Sequence, residues 1–477
     1  MKKVYISVYN KEGIVDFAKD LYKKFDYEII SCGDTYDYLK ANEIPVLDLK
    51  KLYVDNQVYV DINFEEFVKD SFDMVVVNLK PLSKISSQTD DINKFLAEVN
   101  IDDYNILHTA AKFYDEIAVV TSNTDFYGAI NTTSDKRLNL STKVFEYLSD
   151  YDGLLSVKLK EYAGEQARKL FSFEKISELK YGANPHQKAT IYKSDKMVDY
   201  EVINEKVLSY NDILNLTTAA NLMSEFYDIP AAAVVKHSVP CGAALGRDIY
   251  EAYTKAFDCD PFAMFFGTVA FSKTVNFDVA KHLGSMSVKL ILAPDYEEKA
   301  LDLLKETTDA KIVKLITPLK DYKKITQEEI NVTPFGTLVQ ENNRSELDKD
   351  LFKVVTKTKP TSEQIEDAIF AWKIAKYSRT NAVVVAHDFK TSAIAQGQTS
   401  AVAAVEIAMD TACDNSKGSV LASDEALQGA EAVNAAAQGR VSLIIQPGGS
   451  IRDREVIAAA DKFNIAMVFT GIRNLRF

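Results

Sequence analysis

Cysteine is scarce and scattered in this sequence. Cys32, Cys241, Cys259 and Cys413 form no C-x-x-C pair, which argues against a disulfide framework or a cysteine-rich zinc site and fits a reducing compartment. Long apolar runs are missing as well. No stretch approaches the ~20 residues that a membrane-crossing helix requires. The opening M-K-K-V-Y-I-S-V-Y-N alternates like a strand and does not read as a signal peptide. Positive charge is in deficit: 56 Lys and Arg face 69 Asp and Glu, for a net charge of −13. That argues against a broad nucleic-acid surface but leaves room for a local basic pocket holding one phosphate. Compositional bias is also lacking. With 47% hydrophobic and 26% charged residues the chain is neither disordered nor collagen-like. Its 477 residues suffice for about three domains of ~150 residues and for a large core without staples. The expectation is a cytoplasmic enzyme or binding protein.

What is present is alternation. β-rich stretches at 4–8, 28–31, 74–79 and 117–121 alternate with helical spacing at 14–25 and 36–39. Continuous apolar runs such as M-V-V-V-N-L are of buried parallel-strand type, so the spacing predicts βαβ units around a parallel sheet. A helical stretch over 144–171, interrupted near Asp152 and Gly153, reads as a connector. The pattern then restarts, with strands at 231–236, 268–272 and 290–293 and helices at 248–257 and 297–304. A further block opens at Pro360-Thr361. Thr361 and Gln364 have capping-box spacing there, and Ile365, Ala368, Ile369 and Trp372 follow at helical intervals. Its strands at 382–386, 419–423, 441–445 and 465–469 alternate with helices starting near 401, 426 and 452. The two blocks are of similar size, compatible with a distant duplication that the sequence does not prove.

Strand 231–235 runs into Lys236-His237-Ser238-Val239-Pro240-Cys241-Gly242. Open α/β sheets place ligands at the carboxyl ends of their strands. An imidazole there can serve as general base, and an adjacent ammonium can support an oxyanion. A loop histidine held by hydrogen bonds accounts for the same residues. A zinc deaminase would need H-x-E and P-C-x-x-C, of which only Pro240-Cys241 remains, so no metal is expected. The octet K-Y-G-A-N-P-H-Q at 180–187 suits a structured turn from which Lys180 could contact an anion. Residues 446–453, Q-P-G-G-S-I-R-D, follow a strand and open a helix. Ser450 and Asp453 have capping-box spacing, and glycine-rich turns of this kind also hold anions on backbone N–H groups. Ser31-Cys32-Gly33-Asp34-Thr35 is a similar turn, although Asp34 would repel a phosphate. Arg473 and Arg476 bring two guanidinium groups close together in sequence.

Together and in order, these motifs resemble one family: the bifunctional AICAR transformylase/IMP cyclohydrolases of purine biosynthesis. The family's R-Y-G-x-N-P-H-Q resembles residues 180–187, its S-Y-N-N residues 209–212 and its K-H-x-x-P-C-G residues 236–242. Its D-P-x-S-A-F-G-G resembles 260–267, where Phe265 and Gly267 match, and its K-S-N-A resembles 379–382. Its G-A-G-Q-x-S-R resembles 395–401, its A-S-D-A-F-F-P-F 422–429 and its P-G-G-S-I-R-D 447–453. The resemblance implies an α/β fold: a methylglyoxal-synthase-like parallel-sheet domain over 1–150, a helical connector over 151–179, and two cytidine-deaminase-like α/β/α domains over 180–355 and 356–477. It implies a homodimer with transformylase sites between subunits, AICAR as the nucleotide and 10-formyltetrahydrofolate as co-substrate. His237 would then take up the amine proton, Lys236 would support the oxyanion and the leaving group, and Asn381 would orient the formyl group. Lys180, Tyr181, Asn211, Gly242, Phe265, Gly267 and Arg473 would surround the nucleotide. The first-domain site would draw on Ser7, Lys11, Gly33, Thr35, Asn78, Lys80 and Lys112. No nucleic acid, membrane or metal is implied.

The departures are concentrated in two places. The family's G-R-V-K-T-L-H-P has no counterpart in residues 46–73, which are instead rich in acids (Asp48, Asp55, Asp61, Glu65, Glu66, Asp70). The family tyrosine after V-V-x-N-L is Lys80, and I-D-I-G-G reads V-N-I-D-D at 99–103. Loss of cyclohydrolase activity is therefore expected. In the second half the family arginine before Tyr181 is Lys180, which lacks a bidentate fork. Its S-R arginine is Ala401, its F-F-P-F reads Ala426-Leu427-Gln428-Gly429, and Lys289 stands where the family has an acid. The leading expectation is an AICAR formyltransferase with weak or altered folate binding. Two alternatives stay open: formyl transfer to another amino-nucleotide or from a non-folate donor, and a non-catalytic nucleotide-binding paralogue.

Overall fold

The computed structural model describes residues 1–51, 64–166, 169–194, 197–325 and 328–477. Asp55 and Asp61 of the acid-rich segment lie outside the described residues. The chain forms two compact units, Met1–Ser172 and Phe173–Phe477.

The first unit is built on a parallel sheet. Its strands β1 (Lys2–Val8), β2 (Tyr27–Ser31), β3 (Leu47–Asp48), β4 (Met74–Asn78) and β5 (Ala118–Val120) lie in the order β3-β2-β1-β4-β5. Every neighbouring pair is parallel. Helices α1 (Ile14–Lys24), α2 (Gly33–Ala41), α3 (Ile101–Lys112) and α4 (Ser134–Ala163) accompany it. Tyr5, Val75 and Val77 pack with α3 and α4, while Val4, Ile6 and Val76 pack with α1. Both faces are thus covered, which is why these strands read as continuous apolar runs. The chain order reverses between β1 and β4, and ligands of such sheets bind at that switch point. Two local expectations change. The helix foreseen at 36–39 starts at Gly33. The stretch foreseen as interrupted at Asp152-Gly153 is an unbroken helix that ends only at Gly164 (φ 66°). Burial of Val144, Leu148 and Tyr151 in the first unit's own core outweighs the ~1 kcal/mol helix cost of Gly153.

The second unit carries the duplication that the sequence left open. Its first half contributes β8 (Tyr200–Val202), α5 (Tyr210–Ser224), the hairpin β9 (Ala231–Lys236) and β10 (Val239–Leu245), α6 (Ile249–Phe257), β11 (Thr268–Phe271), α7 (Phe277–Gly284), β12 (Leu290–Ala293), α8 (Glu298–Thr307) and β13 (Lys311–Leu315). Its second half contributes β16 (Lys353–Val354), α9 (Ser362–Ala375), the hairpin β17 (Val383–His387) and β18 (Lys390–Ala395), α10 (Ala401–Ala412), β19 (Val420–Ser423), α11 (Ala430–Gln438), β20 (Leu443–Gln446), α12 (Asp453–Lys462) and β21 (Ala466–Phe469). The sheet order β16-β21-β20-β19-β17-β18-β10-β9-β11-β12-β13-β8 is a palindrome of these equivalents. In each half the first strand of the hairpin runs antiparallel to three mutually parallel strands, and an antiparallel edge strand closes the sheet. The halves meet at β10 and β18, where Ala243 N–H donates to Thr391 Oγ1 (2.9 Å) and that hydroxyl donates to Ala243 O (3.0 Å). Helices α5 and α9 share one core on one face; three helices per half cover the other. Two exposed ribbons lie outside this sheet: β6 (Glu174–Leu179) with β7 (Ala189–Lys193), and β14 (Glu328–Thr333) with β15 (Gly336–Glu341).

Candidate functional site

The Lys236-His237 pair sits at a two-residue hairpin. Lys236 pairs with Val239, so His237 and Ser238 are its two central residues, and both have positive φ (55° and 66°). Such a turn continues the right-handed twist of its strands, but it asks two non-glycine residues to adopt a left-handed conformation. Helix α5 holds it there. Ser238 N–H donates to Asn215 Oδ1 (2.7 Å), and Thr218 donates its hydroxyl to Ser238 O (2.9 Å). Asn215 and Thr218 are buried; His237 is exposed at the turn's tip. Lys236 donates from Nζ to Phe265 O (2.9 Å), so two expected residues meet there. Gly242 is required, because a Cβ would lie 2.5 Å from Ala256 O. Burial pushes the neighbouring Cys241 thiol up to about 12, so it stays protonated near neutral pH.

Asn381 lies on the segment that enters β17. Its Nδ2 donates to Gln398 O (2.9 Å), and its backbone N–H donates to the same oxygen (3.1 Å). Buried Asp424 braces both sides of it, accepting from Thr380 Oγ1 (2.7 Å) and from Ala382 N–H (2.9 Å). Burial pushes the Asp424 carboxyl up, opposed by those two donors. Arg476 then ties the segments together. Its backbone exchanges hydrogen bonds with Thr380 (Thr380 N–H to Arg476 O and Arg476 N–H to Thr380 Oγ1, each 2.9 Å), while its guanidinium donates to Thr218 Oγ1 (3.2 Å) and to Tyr377 O. Arg473, three residues earlier, is exposed.

Other expected groups are placed differently. Lys180 and Tyr181 lie between the strands of the β6–β7 ribbon, where Gly182 N–H donates to Gln187 O (2.7 Å) and Asn211 Nδ2 donates to Ala183 O (3.1 Å). Gly267 O accepts from Lys289 N–H (2.9 Å). Two amides of the glycine-rich turn at 447–450 are already taken: Asp453 accepts from Gly449 N–H (2.8 Å) and Ser450 N–H (3.1 Å). Ser450 is not the N-cap of α12, which is Arg452. Leu427, foreseen on a pocket wall, is fully buried in the core beneath α10 to α12, and its N–H donates to Gln446 Oε1 (2.7 Å).

In the first unit, Ser7, Lys11, Thr35 and Asn78 do gather at the ends of β1 and β4. Thr35 Oγ1 lies on Val8, Lys11 Nζ donates to Val8 O (2.7 Å) and to Thr35 Oγ1 (3.3 Å), and Asn78 Oδ1 accepts Asn10 N–H (2.8 Å). Gly33 opens α2 with φ 54°. The group that fills this switch point was not foreseen. Asp103, in the first turn of α3 and 5% exposed, accepts the Ser7 hydroxyl at 2.6 Å, and the Tyr5 hydroxyl and Asn100 Nδ2 as well. Burial pushes its carboxyl up, and the Ser7 and Tyr5 hydroxyls pull it back. Lys80 and Lys112 are paired elsewhere, with Glu98 (2.8 Å) and Glu65 (2.7 Å). Asn215, Thr218 and Asp103 carry one retrospective signal: each is a polar residue at a core position of a helix.

Among the described residues no cluster of three or more His, Cys, Asp or Glu is placed to hold a metal, and no helix is long and apolar enough to cross a membrane. The family described as AICARFT/IMPCHase bienzyme matches residues 110–411, and the MGS-like domain matches 13–108. The chain is 38% identical over its full length, and over 99% of the other, to the bifunctional purine biosynthesis protein PurH of Caldicellulosiruptor saccharolyticus. It is 35% identical to the proteins of that name from Thermoanaerobacter sp. strain X514 and Brachyspira hyodysenteriae, covering all of this chain and 99% and 100% of theirs. A solved structure titled "Crystal structure of ForH" aligns with 35% of this chain and 100% of its own at 16% identity and a TM-score of 0.28, too remote to bear on fold or function. With an MGS-like domain followed by the bienzyme domain, and relatives of that one name along its whole length, the chain belongs to the AICARFT/IMPCHase bienzyme family.

Proposed function

We propose that this protein is an AICAR formyltransferase using 10-formyltetrahydrofolate, and that its IMP cyclohydrolase activity is lost. The observation that carries the first part is the clamped turn: Lys236 and His237 stand side by side at a strand end, on a hairpin whose Ser238 is held at both backbone polar groups by α5. The amine of AICAR is a poor nucleophile because its lone pair is delocalised. Its attack forms a nitrogen–carbon bond, places a positive charge on nitrogen and turns the formyl oxygen into an oxyanion. His237 takes the amine proton and Lys236 stabilises the oxyanion. Collapse breaks the carbon–N10 bond, N10 is protonated, and tetrahydrofolate leaves. Asn381 orients the formyl group. Lys180, Tyr181, Asn211 and Arg473 bind the nucleotide, in a homodimer whose transformylase sites lie between subunits. The setting is the cytoplasm.

The second part rests on Asp103. A carboxyl group that already accepts Ser7 and Tyr5 occupies the switch point, where a nucleotide phosphate would have to compete with it for the Ser7 hydroxyl. One incubation tests both parts. AICAR with 10-formyltetrahydrofolate should give formyl-AICAR that accumulates without becoming IMP; no formyl-AICAR, or prompt IMP, overturns the respective part. Leu427, fully buried in the core, favours a second reading in which the formyl donor is not a folate, and a donor exchange in the same assay separates the two.

A further inference from the structure

We infer that Arg476 is a positioning residue for formyl transfer, because it alone among the described residues bonds both to the helix residue that clamps the Lys236-His237 turn and to the segment that carries Asn381. The inference rests on the formyl-transfer reading above. The link has two arms. Through its backbone, Arg476 exchanges two hydrogen bonds with Thr380, the residue before Asn381. Through its guanidinium it donates to Thr218 Oγ1 (3.2 Å), and the Thr218 hydroxyl donates a hydrogen bond to Ser238 O (2.9 Å), next to His237. Ser238 belongs to the first half of the duplicated sheet and Thr380 to the second, so each half alone positions one group only.

The geometry suits an arginine. One guanidinium nitrogen reaches Thr218 and another reaches Tyr377 O, a forked arrangement that a single ammonium cannot reproduce. The guanidinium also sets the direction of the Thr218 hydroxyl. With its oxygen accepting from Arg476, the Thr218 proton is aimed at Ser238 O. Without Arg476 the hydroxyl is free to rotate, and the left-handed turn loses one of the two clamps that hold His237 toward the reacting carbon. Misplacement by about 1 Å at such a centre lowers rates by about 10²-fold.

The test compares the full chain with Arg476→Gln, Arg476→Lys, Thr218→Val, Thr218→Ser and the Arg476→Gln/Thr218→Val double variant. Thr218→Val removes only the hydroxyl and leaves the 471–477 segment intact, so it reports on the link even where Arg476→Gln fails to fold. Steady-state kinetics with AICAR and 10-formyltetrahydrofolate should show kcat lowered about 10- to 10²-fold in Arg476→Gln, Arg476→Lys and Thr218→Val, with the AICAR KM changed less than about threefold. Thr218→Ser should recover most of the rate. The double variant should be no slower than the worse single one, because both remove one link. A second readout needs no turnover. The His237 imidazole resonance, assigned by its loss in His237→Ala, should broaden or split in Arg476→Gln and Thr218→Val and be restored in Thr218→Ser. Unchanged kcat with an unchanged resonance overturns the inference. So does a loss of rate in which kcat and KM move together and Thr218→Ser does not rescue. If the parent makes no formyl-AICAR, the formyl-transfer reading fails, and the resonance still decides whether Arg476 holds the turn.

Discussion

Asn215 and Asp367 occupy the same place in the two halves of the twelve-stranded sheet. Each follows a capping-box N-cap by six positions, Ser209 in one helix and Thr361 in the other. Each accepts backbone N–H groups from a two-residue left-handed turn: Asn215 from Ser238 (2.7 Å), Asp367 from Asp388 (2.9 Å) and Phe389 (2.8 Å). The duplicated scaffold therefore holds two such turns, and only one of them presents a histidine at its tip.

Replacing His237 by alanine should cost about 10²–10⁴ in the single-turnover rate of formyl transfer, the range for a positioned acid–base group. AICAR affinity should change much less, because the contacts proposed for the nucleotide are at Lys180, Tyr181, Asn211 and Arg473. Quenched-flow measurement with calorimetry checks both, alongside Lys236→Met. Unchanged rates in both variants would move the chemistry to other residues.

Asn215→Ala should lower both stability and rate. It leaves Ser238 N–H unpaired in a half-buried turn, a loss of about 1–3 kcal/mol. Asp367→Ala should lower stability by a similar amount and leave formyl transfer nearly intact, since its turn carries no reacting group. Paired denaturant titrations and activity assays separate the two; equal loss of activity in both variants would argue against the assignment.

Formyl-AICAR supplied to the full chain should yield no IMP above the uncatalysed rate. Ser7 is committed to Asp103, and Lys80 to Glu98. Asp103→Gly alone should not restore the reaction, because Lys80 and Asn100 still replace the family's tyrosine and aspartate. Chromatography of the reaction mixture gives the answer directly.

Leu427→Ala should act on stability. Its side chain is fully buried beside Val433 and Ile444, and truncation of such a leucine costs about 2–5 kcal/mol. Calorimetry with a folate analogue should show weak binding in the parent, little altered by this change. Tight binding abolished by Leu427→Ala at temperatures where the variant is folded would restore this residue to the pocket.

Acid should remove one identifiable contribution to stability. Asp212 is fully buried at the start of α5. Burial alone would raise its carboxyl, but the Lys311 and Lys289 ammoniums and the Ser209 backbone N–H outweigh it and hold it at about 2. A carboxyl depressed in the folded state stabilises above its ordinary value near 4, and that stabilisation is lost as pH falls from about 4 toward 2. Its size is on the order of 2 kcal/mol. Chemical denaturation across that window should show the loss, and Lys289→Met/Lys311→Met should flatten it.

The alternation of strands and helices, the Thr361 capping box and the placing of Lys236-His237 at a strand end were all legible in the sequence, because each depends on residues within a few positions of one another. Strands covered on both faces read as continuous apolar runs, and capping joins residues three apart. The motif spacing likewise gave the family, since order and residue type survive without coordinates. Tertiary structure decided the rest. Ser7 meets Asp103 across 96 positions and Thr218 meets Arg476 across 258, and no local pattern reports such pairs. The uninterrupted α4 and the buried Leu427 have the same origin: burial comes from whichever elements the sheet order brings together, and that order is a property of the folded chain.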